Sequence, residues 1–231
     1  MAGTSTPTDI VIDAALALAA RAPWAEVGLA DIAAEAGLDL AGLRKVVASK
    51  AHILALFARR IDELLLAAVA DESIEGQAHD RLFDVIMRRL EIMEPWRPAV
   101  KSILGAGPGD PIAVAAAAIN AIDSQRWLVT AAGIAAPRDG MTEGVRLAGL
   151  AFVQQRVMRV WAVDDDPGHA RTMAALDRGL RDGAVWLKRL EGPMALCAGM
   201  AKFIAALGGA RTPPQGGATE PADHTKRTSH E

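Results

Sequence analysis

The sequence predicts an all-α protein, and two observations support this fold class. Alanine and leucine are abundant, tyrosine is absent, and no segment alternates β-branched with polar residues as a half-buried strand does. Apolar residues recur instead at the spacing of a helical face, between breaks rich in glycine and proline. With 231 residues, 51% of them hydrophobic and 23% charged, the chain is expected to fold into one large domain or two small ones.

The first predicted helix covers residues 9–21, with Thr8 placed to cap it and Pro23 following its end. Its apolar spacing predicts one buried stripe formed by Ile10, Ala14, Ala17 and Leu18. Farther along the chain, Ser49 is placed to cap a longer helix that links this first part to the rest of the protein.

Between these two helices the sequence predicts a helix-turn-helix. Its short helices are expected at residues 29–36 and 40–46, and Gly37 between them tolerates the positive φ of a tight turn. In such a motif the second helix enters the major groove of DNA. Apolar side chains at helical spacing supply a small core: Ile32, Ala33, Ala36, Leu38 and Leu43.

Five further helices are predicted in the remainder, at residues 79–93, 95–104, 111–134, 141–163 and 167–190. The acidic triplet 164–166 is best explained as a helix start rather than a metal site, with Asp166 as N-cap and Pro167 at the first helical position. Arg88 and Arg89, beside Glu91 and Glu94, are interpreted as a solvated face with local ion pairs.

Two segments complete the chain. Residues 194–207 predict an apolar helix, containing Cys197, that either packs on the protein or touches a membrane surface. Residues 208–231 contain no Leu, Ile, Val, Phe or Met, and seven of these 24 residues are Gly or Pro, so a disordered tail is expected. The predicted organisation is thus a head at 1–66, a helical body at 67–207 and a tail at 208–231.

The head resembles the DNA-binding head of TetR-family transcriptional regulators. The resemblance covers about residues 8–66 and lies in DIAAEAG at 31–37, in Leu43, and in Ser49-Lys50 followed by Ile53-Leu54. It implies a TetR-like fold and a two-fold homodimer whose helices near 141–163 and 167–190 pair. It also implies a double-stranded DNA operator and a small apolar ligand as partners. The residues placed to meet DNA are Asp39, Leu40, Arg44, Lys45 and Lys50.

The body offers candidates for an apolar ligand site. Flexible thioethers and indoles suit apolar ligands, although ordinary core packing explains the same residues. The candidates are Met87, Met93, Trp96 and Trp127.

A second resemblance supplies an alternative function. Residues 81–100 and 156–180 are similar to TetR-fold proteins related to the lipid-binding accessory protein of ubiquinone biosynthesis, which implies a lipid pocket and a membrane-touching helix at 194–207. Residues 1–66 carry six basic and eight acidic side chains, and Arg44–Val47 replaces the aromatic and histidine cluster usual in TetR-like heads. In this alternative the helix-turn-helix is a scaffold that does not bind DNA.

Other classes of function are excluded or unsupported. The net charge of −3 shows no general basic excess, so any DNA binding depends on a local patch. A single cysteine excludes an intramolecular disulfide and a cysteine-based zinc cluster, and no signal peptide or membrane span is recognisable, so a cytoplasmic protein is expected. The GAGPGD segment lacks the strand and lysine of a phosphate loop, and the histidines are scattered. We therefore expect no enzyme activity, cofactor or metal.

Overall fold

The computed structural model describes residues 6–70, 76–107, 111–134, 140–187 and 189, with side chains omitted at 111–116 and 140–142. All regular structure in these segments is helical, which confirms the predicted all-α class. The helices are α1 (Pro7–Arg21), α2 (Leu29–Glu35), α3 (Leu40–Val46), α4 (Lys50–Val69), α5 (Ala78–Met93), a 3₁₀ turn (Glu94–Trp96), α6 (Arg97–Gly105), α7 (Pro111–Ala131), α8 (Gly140–Trp161) and α9 (170–187).

Helix α1 begins two residues earlier than predicted, and Thr8 is not its cap. Thr6 is the N-cap: its hydroxyl accepts the N–H of Asp9 at 3.2 Å, and the Asp9 carboxylate accepts the N–H of Thr6 at 3.1 Å. Pro7 fits the first helical position because no intrahelical N–H donor is needed there. Hydrogen bonds from Thr6 and Arg60 hold the pKa of the Asp9 carboxyl below its ordinary value of 3.8.

The predicted buried stripe of α1 is also wrong, except at Ala14. Ile10 and Ala17 are exposed and Leu18 is half-buried. Helix α1 packs against α2, α3, α4 and α6, so more of its circumference is covered than one stripe allows. Its buried residues are Val11, Ile12, Ala14, Ala15, Leu16 and Ala19.

Buried apolar residues of the predicted head and of the body form one continuous core. Helix α6 brings Ser102 against the end of α1, where its hydroxyl accepts the N–H of Trp24 at 2.9 Å and donates to the carbonyl of Ala22 at 3.0 Å. Helix α4 runs from the head into the body and packs on α5 and α7. Helices α4 and α6 thereby both pack on α1 of the head.

In the body, α7 packs on α4, α5 and α8. The buried side chains of Gln125 and Gln154 join α7 to α8 through a hydrogen bond of 2.6 Å. Helix α9 approaches α8 closely at Gly179, where an added Cβ would lie 2.7 Å from a methyl carbon of Val153. An alanine at this position would make Val153 or one of the two helices shift.

The start of α9 differs from the prediction. The helix begins at residue 170, not 167, because Pro167 lies in a turn and His169 has a φ of 51°. Asp166 is outside the N-cap position, yet its carboxylate accepts the N–H of Ala170 at 2.9 Å. The buried Asp164, 1% exposed, accepts the N–H and the hydroxyl of Thr172 at 2.9 and 2.6 Å. Two carboxylates thus satisfy the first N–H groups of α9.

Among the described helices, none combines the length and apolar composition that a membrane-spanning segment requires. The described residues also contain no group of three or more His, Cys, Asp or Glu side chains placed to hold a metal ion. The predicted helix at 194–207 with Cys197, the tail at 208–231 and the last part of GAGPGD lie outside the described residues.

Candidate functional site

Helices α2 and α3 form the helix-turn-helix at the residues the sequence predicted. Gly37 turns the chain with a φ of 67°, a backbone conformation that strains other residues. Asp39 caps α3 by accepting the N–H of Gly42 at 2.6 Å. Leu43 is buried in the core and anchors the inner side of α3.

The outer side of α3 is open to solvent. Leu40 is 59% exposed at its start, and Arg44 and Lys45 are exposed in its last turn. Arg44 makes one long hydrogen bond of 3.5 Å, to the carbonyl of Val47. Two cations and one leucine can therefore meet a partner on this side of α3.

Lys50 occupies a different environment from these two cations. Its ammonium group donates to the carbonyls of Trp24 and Val27, each at 2.6 Å, and lies 4.3 Å from the centroid of the Trp24 ring. Burial lowers the pKa of the Lys50 ammonium from its ordinary value of 10.5. Two of its three N–H donors thus hold the loop between α1 and α2.

Several acidic residues of the head are paired with arginines away from α3. Arg60 of α4 binds Asp9 at 2.8 Å and Asp13 at 2.5 Å, both on α1. Arg21 binds Glu35 at 2.6 Å and joins α1 to α2. The excess of acidic residues in the head is therefore not concentrated on the exposed side of α3.

A cavity of about 150 Å³, partly open to solvent, lies in the body between α4, α5, α6 and α8. Of the predicted ligand residues, Met93 lies on its wall. Trp96 packs edge-on against the wall residue Phe57, with ring centroids 5.6 Å apart. Met87 packs against the core and is not a wall residue, and Trp127 is 56% exposed on α7. The wall consists of Leu54, Phe57, Ala58, Ile61, Arg89, Met93, Val100, Ile103, Leu104 and Met158.

One wall residue is a correction to the sequence analysis. Arg89 does not belong to a solvated face, because it is 5% exposed and pairs with the buried Asp62 of α4. Ser124 of α7 donates its hydroxyl to the same carboxylate at 2.9 Å. Burial raises the pKa of the Asp62 carboxyl, and the Arg89 charge opposes this effect.

The sequence does contain a signal for this buried arginine. Position 89 lies four residues after Val85 and four before Met93, and both of these residues are buried on the inner face of α5. Arg88, one position earlier, faces solvent and pairs with Glu91 at 3.3 Å. The helical period places Arg89 on the buried face of α5, although its charge favours an exposed position.

Three solved structures share this architecture. A TetR transcriptional regulator from Nitrosomonas europaea ATCC 19718 is 21% identical with a TM-score of 0.59, and the match covers 77% of this chain and 97% of that one. A TetR transcriptional regulator from Rhodococcus sp. RHA1 is 17% identical with a TM-score of 0.60, over 77% of this chain and 94% of that one. A TetR-family transcriptional regulator from Streptomyces coelicolor is 16% identical with a TM-score of 0.50, over 88% of this chain and 99% of that one. No protein-family model and no curated protein matches the sequence. The chain has a TetR-like fold, which confirms the predicted architecture.

Proposed function

We propose that this protein is a DNA-binding transcriptional regulator whose affinity for its operator responds to a small apolar ligand. The observation that carries the proposal is the geometry of α3, which is anchored inward by Leu43 and presents Leu40, Arg44 and Lys45 outward. The three similar structures, all TetR-type transcriptional regulators by their titles, support the same function.

Each α3 residue has a role suited to its chemistry. Arg44 donates to a guanine or a phosphate, Lys45 donates to a phosphate, and Leu40 contacts a thymine methyl group. Asp39 keeps the start of α3 in place as its N-cap and is not itself a phosphate contact. Lys50 positions the α1–α2 loop and offers its remaining N–H to the DNA backbone.

The working form is a two-fold homodimer, because two recognition helices about 34 Å apart are needed to occupy successive major grooves. Helices α8 and α9 supply the pairing surface. Phe152, Val185 and Trp186 are each more than half exposed on these helices, so large apolar side chains are available there for pairing. Sedimentation of Trp186→Glu tests the dimer: a monomer is expected, and an unchanged dimer contradicts this surface.

Helix α4 provides the coupling between ligand and DNA. Its first residue, Lys50, holds the head, and Leu54, Phe57 and Ile61 of the same helix line the cavity. A ligand that expands the cavity shifts α4 and, with it, the separation of the two recognition helices.

The deciding experiment is binding of the purified protein to fragmented DNA from its own genome, including its own promoter, between roughly 50 and 200 mM salt. We expect one short palindromic site with a steep salt dependence. Arg44→Ala should weaken binding at one base position, and Lys45→Ala should weaken it uniformly and reduce the salt slope by about 1. Lys101→Ala, an exposed lysine on α6, is the matched control. Absence of any enriched site contradicts the proposal.

A second candidate function is a lipid-binding accessory role, with the helix-turn-helix as scaffold. The acidic balance of residues 1–66 and the capture of Lys50 by two carbonyls favour it. In that case lipid should co-purify with the protein. Binding to liposomes should depend on residues 193–231, because residues 194–207 would contact the membrane surface. Retention of liposome binding after removal of residues 193–231 contradicts this candidate.

A further inference from the structure

The cavity in the body combines an apolar wall with an opening to solvent. Nine of the ten side chains on its described wall are hydrophobic, and Arg89 is the exception. A volume of about 150 Å³ is enough for a benzene ring, that is, for about six carbon atoms. The cavity therefore takes a short apolar group, and the remainder of any longer molecule lies outside it.

The polar side chain of this wall gives a ligand no anchor. Arg89 is 5% exposed, and its guanidinium group is paired with the buried carboxylate of Asp62, which also accepts a hydrogen bond from Ser124. A polar group of a ligand placed inside the cavity would therefore lose its hydrogen bonds to water without replacing them, which weakens binding. Only the opening of the cavity, where water remains, suits such a group.

We infer that this cavity binds the apolar end of an amphiphile, a chain of about six carbons whose polar head group stays in water at the opening. The volume sets the length of the buried chain, the wall sets its chemistry, and the opening lets the head group keep its hydration. The inference rests on the proposed function in that it defines the chemistry of the ligand to which the regulator responds. The alternative is a compact molecule whose polar group is held by the protein.

This mode of binding has two measurable consequences. Burial of one methylene group strengthens binding roughly fourfold, so the affinity should rise with chain length until the cavity is full and then level off. The head group makes no contact with the protein, so its charge should have little effect on the affinity.

Two sets of probes test these consequences. The linear alkanoates from propanoate to decanoate vary the chain length alone. Hexanoate, hexylammonium and 1-hexanol share one chain and differ in the charge of the head group. Each probe is titrated into the full chain and followed by NMR of the methionine methyl groups. Met93 and Met158 lie on the cavity wall, whereas Met87 is not a wall residue and serves as an internal reference.

We expect the affinity of the alkanoates to rise roughly fourfold per methylene group up to about six carbons and to level off beyond that length. The three head groups should bind within about threefold of one another at about 150 mM salt, which screens charges in water. The signals of Met93 and Met158 should shift more than that of Met87.

Three results overturn the inference. A preference of about tenfold or more for one head group means that the protein contacts it. An affinity that keeps rising through decanoate, or that does not depend on chain length, is incompatible with a short buried chain. Shifts at Met93 and Met158 no larger than the shift at Met87 rule out this cavity as the site.

A pair of variants on α4 extends the test. Ala58→Leu fills the cavity with about three further carbons and should weaken the binding of hexanoate about tenfold or more. Ala68→Leu makes the same change at an exposed position of the same helix and should leave this binding unaltered. Equal affinity of the two variants for hexanoate contradicts the site. The comparison of chain lengths on the unaltered protein stands even if Ala58→Leu does not fold.

Operator binding without any probe is measured in parallel. If hexanoate does not bind but an operator does, the inference fails and the proposed function stands. If hexanoate binds as expected and no operator is found, the ligand chemistry holds and the regulator does not.

Discussion

The Lys50 ammonium lies 4.3 Å from the centre of the Trp24 ring and donates to the carbonyl of the same residue at 2.6 Å. These residues are 26 positions apart, and Trp24 is itself buried. The first residue of α4 is thus fastened to the loop that leads from α1 into the helix-turn-helix. Lys50 therefore holds the head together.

Lys50→Met should destabilise the protein by about 1–2 kcal/mol, because two charge-assisted hydrogen bonds and a cation–π contact are lost at a half-buried site. Lys45→Met, a change of the same type at an exposed position of α3, should leave the thermal midpoint unchanged and weaken DNA binding. Differential scanning calorimetry gives the midpoints. An unchanged midpoint for Lys50→Met contradicts the anchoring role.

The Asp62–Arg89 pair yields a larger effect. Asp62→Ala leaves Arg89 buried without a counter-charge and should cost about 3–5 kcal/mol in chemical denaturation. The double change Asp62→Leu with Arg89→Met should recover most of that loss, since no unpaired charge remains. Asp13→Ala removes an exposed carboxylate from Arg60, which keeps Asp9 as a partner, so this control should cost less than about 1 kcal/mol. Equal losses for Asp62→Ala and Asp13→Ala are incompatible with a buried pair.

Two glycines of α9 should respond in opposite directions. An alanine Cβ at Gly179 would lie 2.7 Å from Val153, so Gly179→Ala forces α8 and α9 apart and should cost about 1–3 kcal/mol. At Gly183 the same atom would lie 3.9 Å from Val153, an ordinary contact. Gly183→Ala should stabilise the helix by up to about 1 kcal/mol. Urea denaturation of both variants checks the sign, and a stabilised Gly179→Ala would show that the helices are less closely packed.

Asp164 should make the stability depend on acid pH. Hydrogen bonds from the Thr172 hydroxyl and N–H hold the pKa of the Asp164 carboxyl below its ordinary value of 3.8. Since the folded-state pKa is lowered, the Asp164 carboxylate stabilises the fold fully when the pH is above the ordinary pKa of 3.8. This stabilisation is lost as the pH falls through the folded-state pKa.

Asp164→Ala should therefore cost about 2 kcal/mol at pH 7, and the difference from the unaltered protein should shrink below pH 4. Asp165→Ala, at the exposed neighbouring position, provides the control and should change the stability little. If the stability difference between the unaltered protein and Asp164→Ala grows at acid pH, the pKa of Asp164 is not lowered by folding.

Local sequence signals were enough for the helix-turn-helix. Gly37 as the turn residue, Leu43 as the inward anchor and the bounds of α3 were all predictable, because turn chemistry and helical period act over a few residues. Ser49 as the N-cap of α4 belongs to the same group, since its hydroxyl accepts the N–H of His52 three residues later.

The errors concern residues whose partners are distant in sequence. Arg89 was interpreted as solvated because its counter-ion, Asp62, lies 27 positions away on another helix. The hydrogen bonds from Lys50 to the carbonyls of Trp24 and Val27 likewise span more than 20 positions, so no local pattern indicates them.

The sequence by itself determined the helical class, the order of the helices and the residues exposed on α3, because these depend on periodicity and on caps within one or two turns. Only the tertiary structure decided which charges are buried and where the cavity lies. Both depend on which helices pack against α4. The sequence pattern of a helix is the same whether it contacts an apolar side chain, a counter-ion or a cavity on the neighbouring helix.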